Sequence, residues 1–154
     1  ASHYKSLFQN YIWQEYVPEA DNEYTCGVYG AQNGSVRTII FRRRLVGDVT
    51  GHAEVVYDVE IDELCKSVAS ALRLKGSINI QLRTGTKGPR IFEINPRFSS
   101  TVVFRHRIGF KDVIWSLQEQ ILKVPAIDYR PTSPTGSKIA RATSEVIYED
   151  TSTR

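Results

Sequence analysis

The segment Phe92-Glu93-Ile94-Asn95-Pro96-Arg97-Phe98-Ser99, taken together with Asn79-Ile80-Gln81 upstream, decides how this chain folds. Apolar and polar residues alternate in both stretches, and this period of two is typical of half-buried β-strands. The connecting residues, Thr84-Gly85-Thr86-Lys87-Gly88-Pro89, are rich in turn formers. The sequence therefore predicts a hairpin whose strands are residues 77–83 and 90–95.

The predicted hairpin has one apolar and one polar face. Folding it about its loop brings Gln81 roughly opposite Glu93, and Asn79 roughly opposite Asn95, at a cross-strand separation of about 5 Å. Hard cations such as Mg²⁺ take carboxylate and amide oxygens and share their coordination with water and substrate phosphates. The adjacent Arg97 has a planar fork suited to a phosphate oxygen. The polar face thus resembles a metal and phosphate site, and the alternative is an ordinary solvated strand face.

Period and turn formers divide the rest of the chain into further elements. The predicted strands are residues 11–17, 24–29, 35–45, 52–58 and 138–148. The predicted helices are residues 61–74 and 111–123, which stop at Gly76 and Pro125. Residues 130–137 form a Pro-, Ser- and Thr-rich loop. This order predicts an α+β fold with a largely antiparallel sheet and helices covering one face.

Composition restricts the class of protein. A chain of 154 residues with 41% hydrophobic residues fits one compact domain, residues 1–154. The net charge of +3 is scattered, which is too weak for a nucleic-acid surface. Cys26 and Cys65 lack the spacing of a metal or redox motif, so a reducing cytoplasm is expected. No apolar run reaches the roughly 18 residues of a membrane span. Met is absent, and we interpret the chain as a piece of a longer protein.

The two hairpin segments resemble the metal-binding strands of the ATP-grasp family, most closely the carbamoyl-phosphate synthase large-subunit type. The resemblance covers roughly residues 12–122 and implies the C-terminal half of an ATP-grasp module. It implies that ATP and Mg²⁺ (or Mn²⁺) bind here, with Gln81, Glu93 and Asn95 as metal ligands. Arg97 would face the phosphates or an acylphosphate. Many relatives have an acidic residue where this chain has Gln81.

The resemblance also extends upstream of the hairpin. Gln14-Glu15-Tyr16-Val17 is similar to the family's segment that lines the adenine, with Glu15 and Val17 at the base edge. Glu23 is similar to the carboxylate that binds the ribose hydroxyls. The alternative for this region is an ordinary strand pair with an exposed acid at its turn.

Several basic residues are weaker candidates. Among the three consecutive arginines at 42–44, Arg44 or Arg42 is expected to reach a phosphate, with Arg44 taken as the nucleotide contact. Arg105 borders the acceptor site of relatives and is expected to pair with a substrate carboxylate. His52 lies where relatives approach the nucleotide, but a lone histidine is more often structural. His106 has no argued role.

The resemblance implies a ligase that activates a carboxylate as an acylphosphate with ATP and lets an amine or other nucleophile displace the phosphate. The family's preceding lobe, which supplies lysines and a Gly-rich loop, is not visible in this sequence, nor is an N-terminal substrate domain. The missing N-terminal portion is therefore the expected partner, the piece alone is expected to be inactive, and a homodimer is left open. The alternative is a non-catalytic ATP-grasp-like binding domain. Loss of Glu23, Glu93 or Asn95 would favour that alternative, and all three are present.

Overall fold

A six-stranded antiparallel sheet organises the chain in the computed structural model, which describes residues 7, 10–17, 22–126 and 135–142. Its strands are β1 (Glu23–Gly30), β2 (Val36–Val46), β3 (Val49–Val56), β4 (Gly76–Gly85), β5 (Gly88–Asn95) and β6 (Lys138–Ala140). The helices are α1 (Val59–Ala71), α2 (Val102–Arg107) and α3 (Asp112–Ser116), the last continued by a π-helical turn, Leu117–Ile121.

The strand order is β5-β4-β1-β2-β3-β6, and each neighbouring pair is antiparallel. The register of the β4–β5 hairpin confirms the predicted cross-strand pairs: Gln81 lies opposite Glu93, and Asn79 lies opposite Asn95. A bulge follows, because Leu82 pairs with Ile91. The bulge increases the local twist of the hairpin beside its polar side chains.

Helix α1 packs on one face of the sheet. Asp58 caps its N-terminus by accepting a hydrogen bond from the Ile61 backbone N–H at 3.1 Å. The apolar side of the helix joins a buried cluster that consists of Cys26, Val28, Ile40, Ile61, Cys65, Ala69, Ile78, Ile80 and Leu82. The predicted helix at 61–74 is thus present, but it begins at Val59 and ends at Ala71.

Helices α2 and α3 pack on the opposite face. Because side chains alternate along each strand, Tyr29 and Phe41 point away from α1 and join a second cluster with Phe104, Phe110 and Trp115. The α+β class and the antiparallel sheet are therefore confirmed. The helices contact both faces of the sheet, however, whereas the sequence predicted that they cover only one.

Other differences from the predicted elements have local causes. Residues 11–17 do not form a strand, and Tyr11, Ile12 and Tyr16 are exposed without a neighbouring strand in the described part of the chain. Helix α2 was not predicted, because six residues are too few to show a helical period. Only Lys138–Ala140 of the predicted last strand is a strand; residues 143–148 and most of the predicted loop lie outside the described residues. No described helix has the length and apolar character needed to cross a membrane.

Candidate nucleotide and metal site

The polar faces of β1, β2, β4 and β5 form the candidate site. Gln81 and Glu93 are cross-strand neighbours in the hairpin, and Gln81 also lies opposite Thr25 of β1. The next row contains Asn79 and Asn95, and the Thr25 hydroxyl donates to Asn79 Oδ1 at 2.9 Å. The three expected metal ligands are therefore adjacent on two paired strands, with Glu93 exposed at the surface.

Glu23 is held by two arginines, one from each strand next to β1. Arg43 donates to Glu23 Oε1 from Nε at 3.0 Å and from Nη2 at 2.6 Å. Arg83 donates to Glu23 Oε2 from Nε at 3.0 Å and from Nη2 at 2.7 Å. Arg43 Nη2 also donates to Gln81 Oε1 at 2.5 Å, which links Glu23 to the expected metal ligands.

The electrostatics of this cluster favour an ionised Glu23. Burial raises the pKa of Glu23, but the hydrogen bonds from Arg83 and Arg43 outweigh burial and hold its pKa below the ordinary value. The same contact raises the pKa of Arg83. At neutral pH the three groups thus carry two positive charges and one negative charge, an excess that suits an anionic ligand.

A cavity of about 450 Å³ lies next to Arg83. Its walls include the 14–17 segment that was expected to line the adenine, so Glu15 and Val17 are both at this cavity. Arg83 orders the segment, because its Nη1 donates to the Val17 carbonyl oxygen at 3.0 Å and its guanidinium lies 5.8 Å from the centre of the Tyr16 ring. Phe92 also lines the cavity. The cavity combines apolar and aromatic side chains with charged groups, and its volume is in the range of small-molecule sites.

The arginine that reaches the site is Arg43, which the sequence analysis missed. Arg42 and Arg44 lie on the other face of β2, where Arg42 pairs with Glu54 at 2.6 Å and Arg44 lies opposite His52. Together with Arg43 they line a second cavity of about 640 Å³. The expected phosphate contact of Arg44 therefore has no support, because strand alternation turns its side chain away from Glu23 and Gln81. Alternation along β2 identifies Arg43, because it points to the same face of the strand as Ile39 and Phe41. Both of those residues belong to the buried cluster on the face that carries the site.

Arg105 lies in the core and not at the surface of the site. Its side chain is fully buried, and its Nη2 is 2.8 Å from Asp112 Oδ2. Burial lowers the pKa of Arg105, and the charge of Asp112 opposes that change. A Cβ placed on Gly27 would lie only 2.5 Å from Arg105 Cδ, so a glycine there is required for this packing. The placement gives no support to the expected contact between Arg105 and a substrate carboxylate.

The hairpin also contains polar groups that the protein leaves unsatisfied. The Nδ2 atoms of Asn79 and Asn95 are buried and have no hydrogen-bond partner among the described residues. Arg97 follows the end of β5 and is exposed, with its Nη1 donating to the Phe98 carbonyl oxygen at 3.1 Å. Unsatisfied buried amides are unusual in proteins, and they mark this end of the hairpin as a place for a polar ligand.

The donor set fits a magnesium ion that arrives with phosphate. Glu93 is the one carboxylate among the three expected ligands, and in the described ranges no group of three or more His, Cys, Asp and Glu side chains could hold a metal ion. Two amide oxygens and one carboxylate are hard donors that suit Mg²⁺, which commonly completes its coordination with substrate phosphates and water. Gln81 Oε1 accepts a hydrogen bond from Arg43 Nη2, and the positive charge of Arg43 opposes a metal ion at the same oxygen.

Several solved structures have a similar fold. The phosphoribosylaminoimidazole carboxylase ATPase subunit from Aquifex aeolicus matches with a TM-score of 0.59 and 18% identity over 73% of this chain and 35% of that one. The N5-carboxyaminoimidazole ribonucleotide synthetase from Thermus thermophilus matches with a TM-score of 0.59 and 15% identity over 79% of this chain and 35% of that one.

A third match was solved with bound ligands. It is the N5-carboxyaminoimidazole synthase from Aspergillus clavatus in complex with ADP and 5-aminoimidazole ribonucleotide, with a TM-score of 0.54 and 14% identity over 68% of this chain and 30% of that one. This chain spans about a third of the length of these structures. A comparison with curated protein sequences found no match.

Residues 8–144 match a family described as ATP-grasp in the biosynthetic pathway with Ter operon, and the chain belongs to this ATP-grasp family.

Proposed function

We propose that this chain forms the C-terminal, metal-binding side of the ATP site in an ATP-grasp ligase. The observation that carries the proposal is the β4–β5 register, which makes Gln81 and Glu93 neighbours beside the Glu23–Arg43–Arg83 cluster. Membership in an ATP-grasp family supports ATP as the nucleotide. An amide at position 81 instead of an acid supports the finer assignment to a hairpin of the carbamoyl-phosphate synthase type.

The residues have separate roles in this proposal. Glu93, Asn95 and Gln81 would hold a Mg²⁺ ion, which would supply positive charge to the ATP phosphates. Arg97, exposed after β5, would contact a phosphate or an acylphosphate. The 450 Å³ cavity would receive the adenine, and Glu23 would accept the ribose hydroxyls.

The proposed reaction is ligation. A carboxylate would attack the γ-phosphate of ATP to give an acylphosphate and ADP, and a nucleophile such as an amine would then displace phosphate. The protein's share of this chemistry is to align the phosphates and to place arginines where negative charge moves.

The metal site is tested by Glu93→Gln in the intact protein that contains this chain. We expect Mg²⁺ to tighten ATP binding to the wild type, and the variant to lose most of that gain while it keeps its stability, because Glu93 is exposed. Equilibrium dialysis with ATP, with and without Mg²⁺, measures the effect. The matched control is Glu54→Gln, whose side chain pairs with Arg42 on the opposite face of the sheet.

The outcomes separate the two candidate functions. An unchanged Mg²⁺ effect in the Glu93→Gln variant would show that the metal does not bind there. ADP release that depends on an added carboxylate and on Glu93 identifies a ligase. Nucleotide binding without such turnover for any carboxylate and amine tested would instead favour the non-catalytic binding domain.

A further inference from the structure

Arg43 contacts two oxygen atoms that the proposed function assigns to ligands. One is Glu23 Oε1, at 3.0 Å from Nε and 2.6 Å from Nη2, and the other is Gln81 Oε1, at 2.5 Å from Nη2. The proposed function requires the first oxygen for the ribose and the second for the metal. A single side chain thus occupies part of both subsites.

Glu23 has no spare capacity to accept a hydrogen bond. An ionised carboxylate offers about four lone-pair positions. Two are taken by Arg43 and two by Arg83. A ribose hydroxyl is accepted by Glu23 only after one arginine withdraws.

Arg43 is the arginine that is easier to move. Arg83 also donates to the Val17 carbonyl oxygen and lies 5.8 Å from the centre of the Tyr16 ring and 5.7 Å from that of Phe92, so its withdrawal would disrupt the wall of the base cavity. The hydrogen bonds that the structure gives the Arg43 side chain go to Glu23 and Gln81. If a phosphate accepts these hydrogen bonds instead, Arg43 can leave Glu23 and Gln81 without disrupting another part of the site.

The charge around Arg43 favours a phosphate as its new partner. Three arginines (Arg43, Arg83 and Arg97) accompany two carboxylates (Glu23 and Glu93), so the group has an excess of positive charge. A guanidinium binds phosphate through two parallel hydrogen bonds, which matches what Arg43 gives up.

We propose that Arg43 is a phosphate-binding residue of the nucleotide site, held by Glu23 and Gln81 until ATP arrives. Its transfer to the phosphates frees Glu23 Oε1 for the ribose and Gln81 Oε1 for the metal ion. Phosphate binding and metal binding are thereby coupled through one side chain. This inference rests on the proposed function.

The test compares Arg43→Gln with the wild type in the intact protein, using ATP and adenosine as separate probes in the presence of Mg²⁺. We expect the Kd for ATP to rise by about 10-fold to 100-fold, the usual range for losing charged hydrogen bonds to phosphate. The Kd for adenosine should stay the same or fall, because adenosine has no phosphate and Glu23 Oε1 is released in the variant. Arg43→Lys keeps the charge and should recover part of the ATP affinity.

Arg42→Gln is the matched control, because it removes the same group from the other face of β2 and should change neither Kd. Equal losses for ATP and adenosine in Arg43→Gln, or failure of both Arg43 variants to fold, would make Arg43 structural and overturn the inference. An ATP affinity within about twofold of the wild type would overturn it as well. A wild type that binds neither probe would instead contradict the proposed function on which the inference rests.

Discussion

The Glu23 carboxylate is a structural residue at the place where the proposed function puts the ribose. It is buried to 7% exposure between two guanidinium groups that come from different strands. A buried charge is tolerated only when it is paired and hydrogen-bonded, and here both conditions are met. The carboxylate thus fixes β2 and β4 to β1 at the point where the ligand is expected.

Replacing Glu23 with Gln should therefore destabilise the fold. The variant leaves Arg43 and Arg83 without their counter-charge, and breaking a buried ion pair in this way typically costs roughly 3 to 5 kcal/mol. We expect the lower end of that range, because the Arg83 side chain is 26% exposed. Urea unfolding measures the change.

The same Glu→Gln substitution at the half-buried Glu54 should have little effect, because its partner Arg42 on the neighbouring strand is 48% exposed. Equal losses of unfolding free energy at the two positions would mean that burial does not strengthen the ion pairs of Glu23 with Arg43 and Arg83.

At the scale of secondary-structure elements, Glu119 attaches the C-terminal helical segment to the end of β1. The carboxylate accepts hydrogen bonds from the Tyr29 hydroxyl at 2.8 Å, the Gln32 N–H at 3.0 Å and the Ala126 N–H at 3.3 Å. Burial raises the pKa of Glu119, but the hydrogen bonds from Tyr29, Ala126 and Gln32 outweigh it, and the pKa lies below the ordinary value of 4.5. The π-helical turn that contains Glu119 brings it to this position.

This contact predicts a loss of stability in acid. A depressed carboxylate pKa adds stability that is complete above the unfolded value near 4.5 and disappears as the pH falls through the lower folded value. Glu119→Gln should cost about 2 kcal/mol at pH 7, from the weaker hydrogen bonds to a neutral group. The difference between wild type and variant should shrink as the pH falls below about 4.5.

Urea unfolding at a series of pH values checks this expectation. Glu63→Gln, at an exposed position on α1, is the control and should change the unfolding free energy little. A difference between wild type and Glu119→Gln that stays constant down to the acid limit of folding would contradict the assigned role.

The elements also show what the sequence predicted and what it did not. The β4–β5 register was predictable, because a short turn with two alternating strands leaves few ways to pair Gln81 and Asn79. Which of the adjacent arginines at 43 and 44 faces the site was harder to predict, because Ile39, Ile40 and Phe41 make both faces of β2 apolar before the arginines begin. The burial of Arg105 was not predicted, because its partner Asp112 belongs to a different short helix.

At the scale of the whole molecule, the proposed function assigns to the described residues one side of a nucleotide site. The cavity and the expected metal ligands all lie on one end of the same sheet. The family resemblance implies that a second lobe covers the phosphates with lysines and a Gly-rich loop. Each charged hydrogen bond to phosphate that this lobe would supply is worth about 1.5 to 3 kcal/mol.

The 154-residue chain by itself should therefore bind Mg-ATP only weakly. We expect a Kd in the millimolar range or no measurable binding, no turnover, and a single cooperative melting transition, because the two apolar clusters are formed within this chain. Calorimetric titration and a thermal melt on the same sample measure both properties. Micromolar affinity would show that one side of the site is sufficient, and the absence of a transition would show that the fold needs another part of the protein.

The two cysteine thiols of the chain can report how fast the core opens. Cys26 of β1 and Cys65 of α1 are both fully buried in the same cluster, and they are the only cysteines in the sequence. A hydrogen bond with Cys65 and burial raise the pKa of Cys26, so the native thiol is unreactive as well as shielded. A thiol reagent should label the native chain only as fast as α1 separates from the sheet, and it should label both cysteines together. Rapid modification of one cysteine alone would show that it becomes exposed without separation of α1 from the sheet, whereas simultaneous labelling would let the opening rate of each variant be measured in native buffer without denaturant.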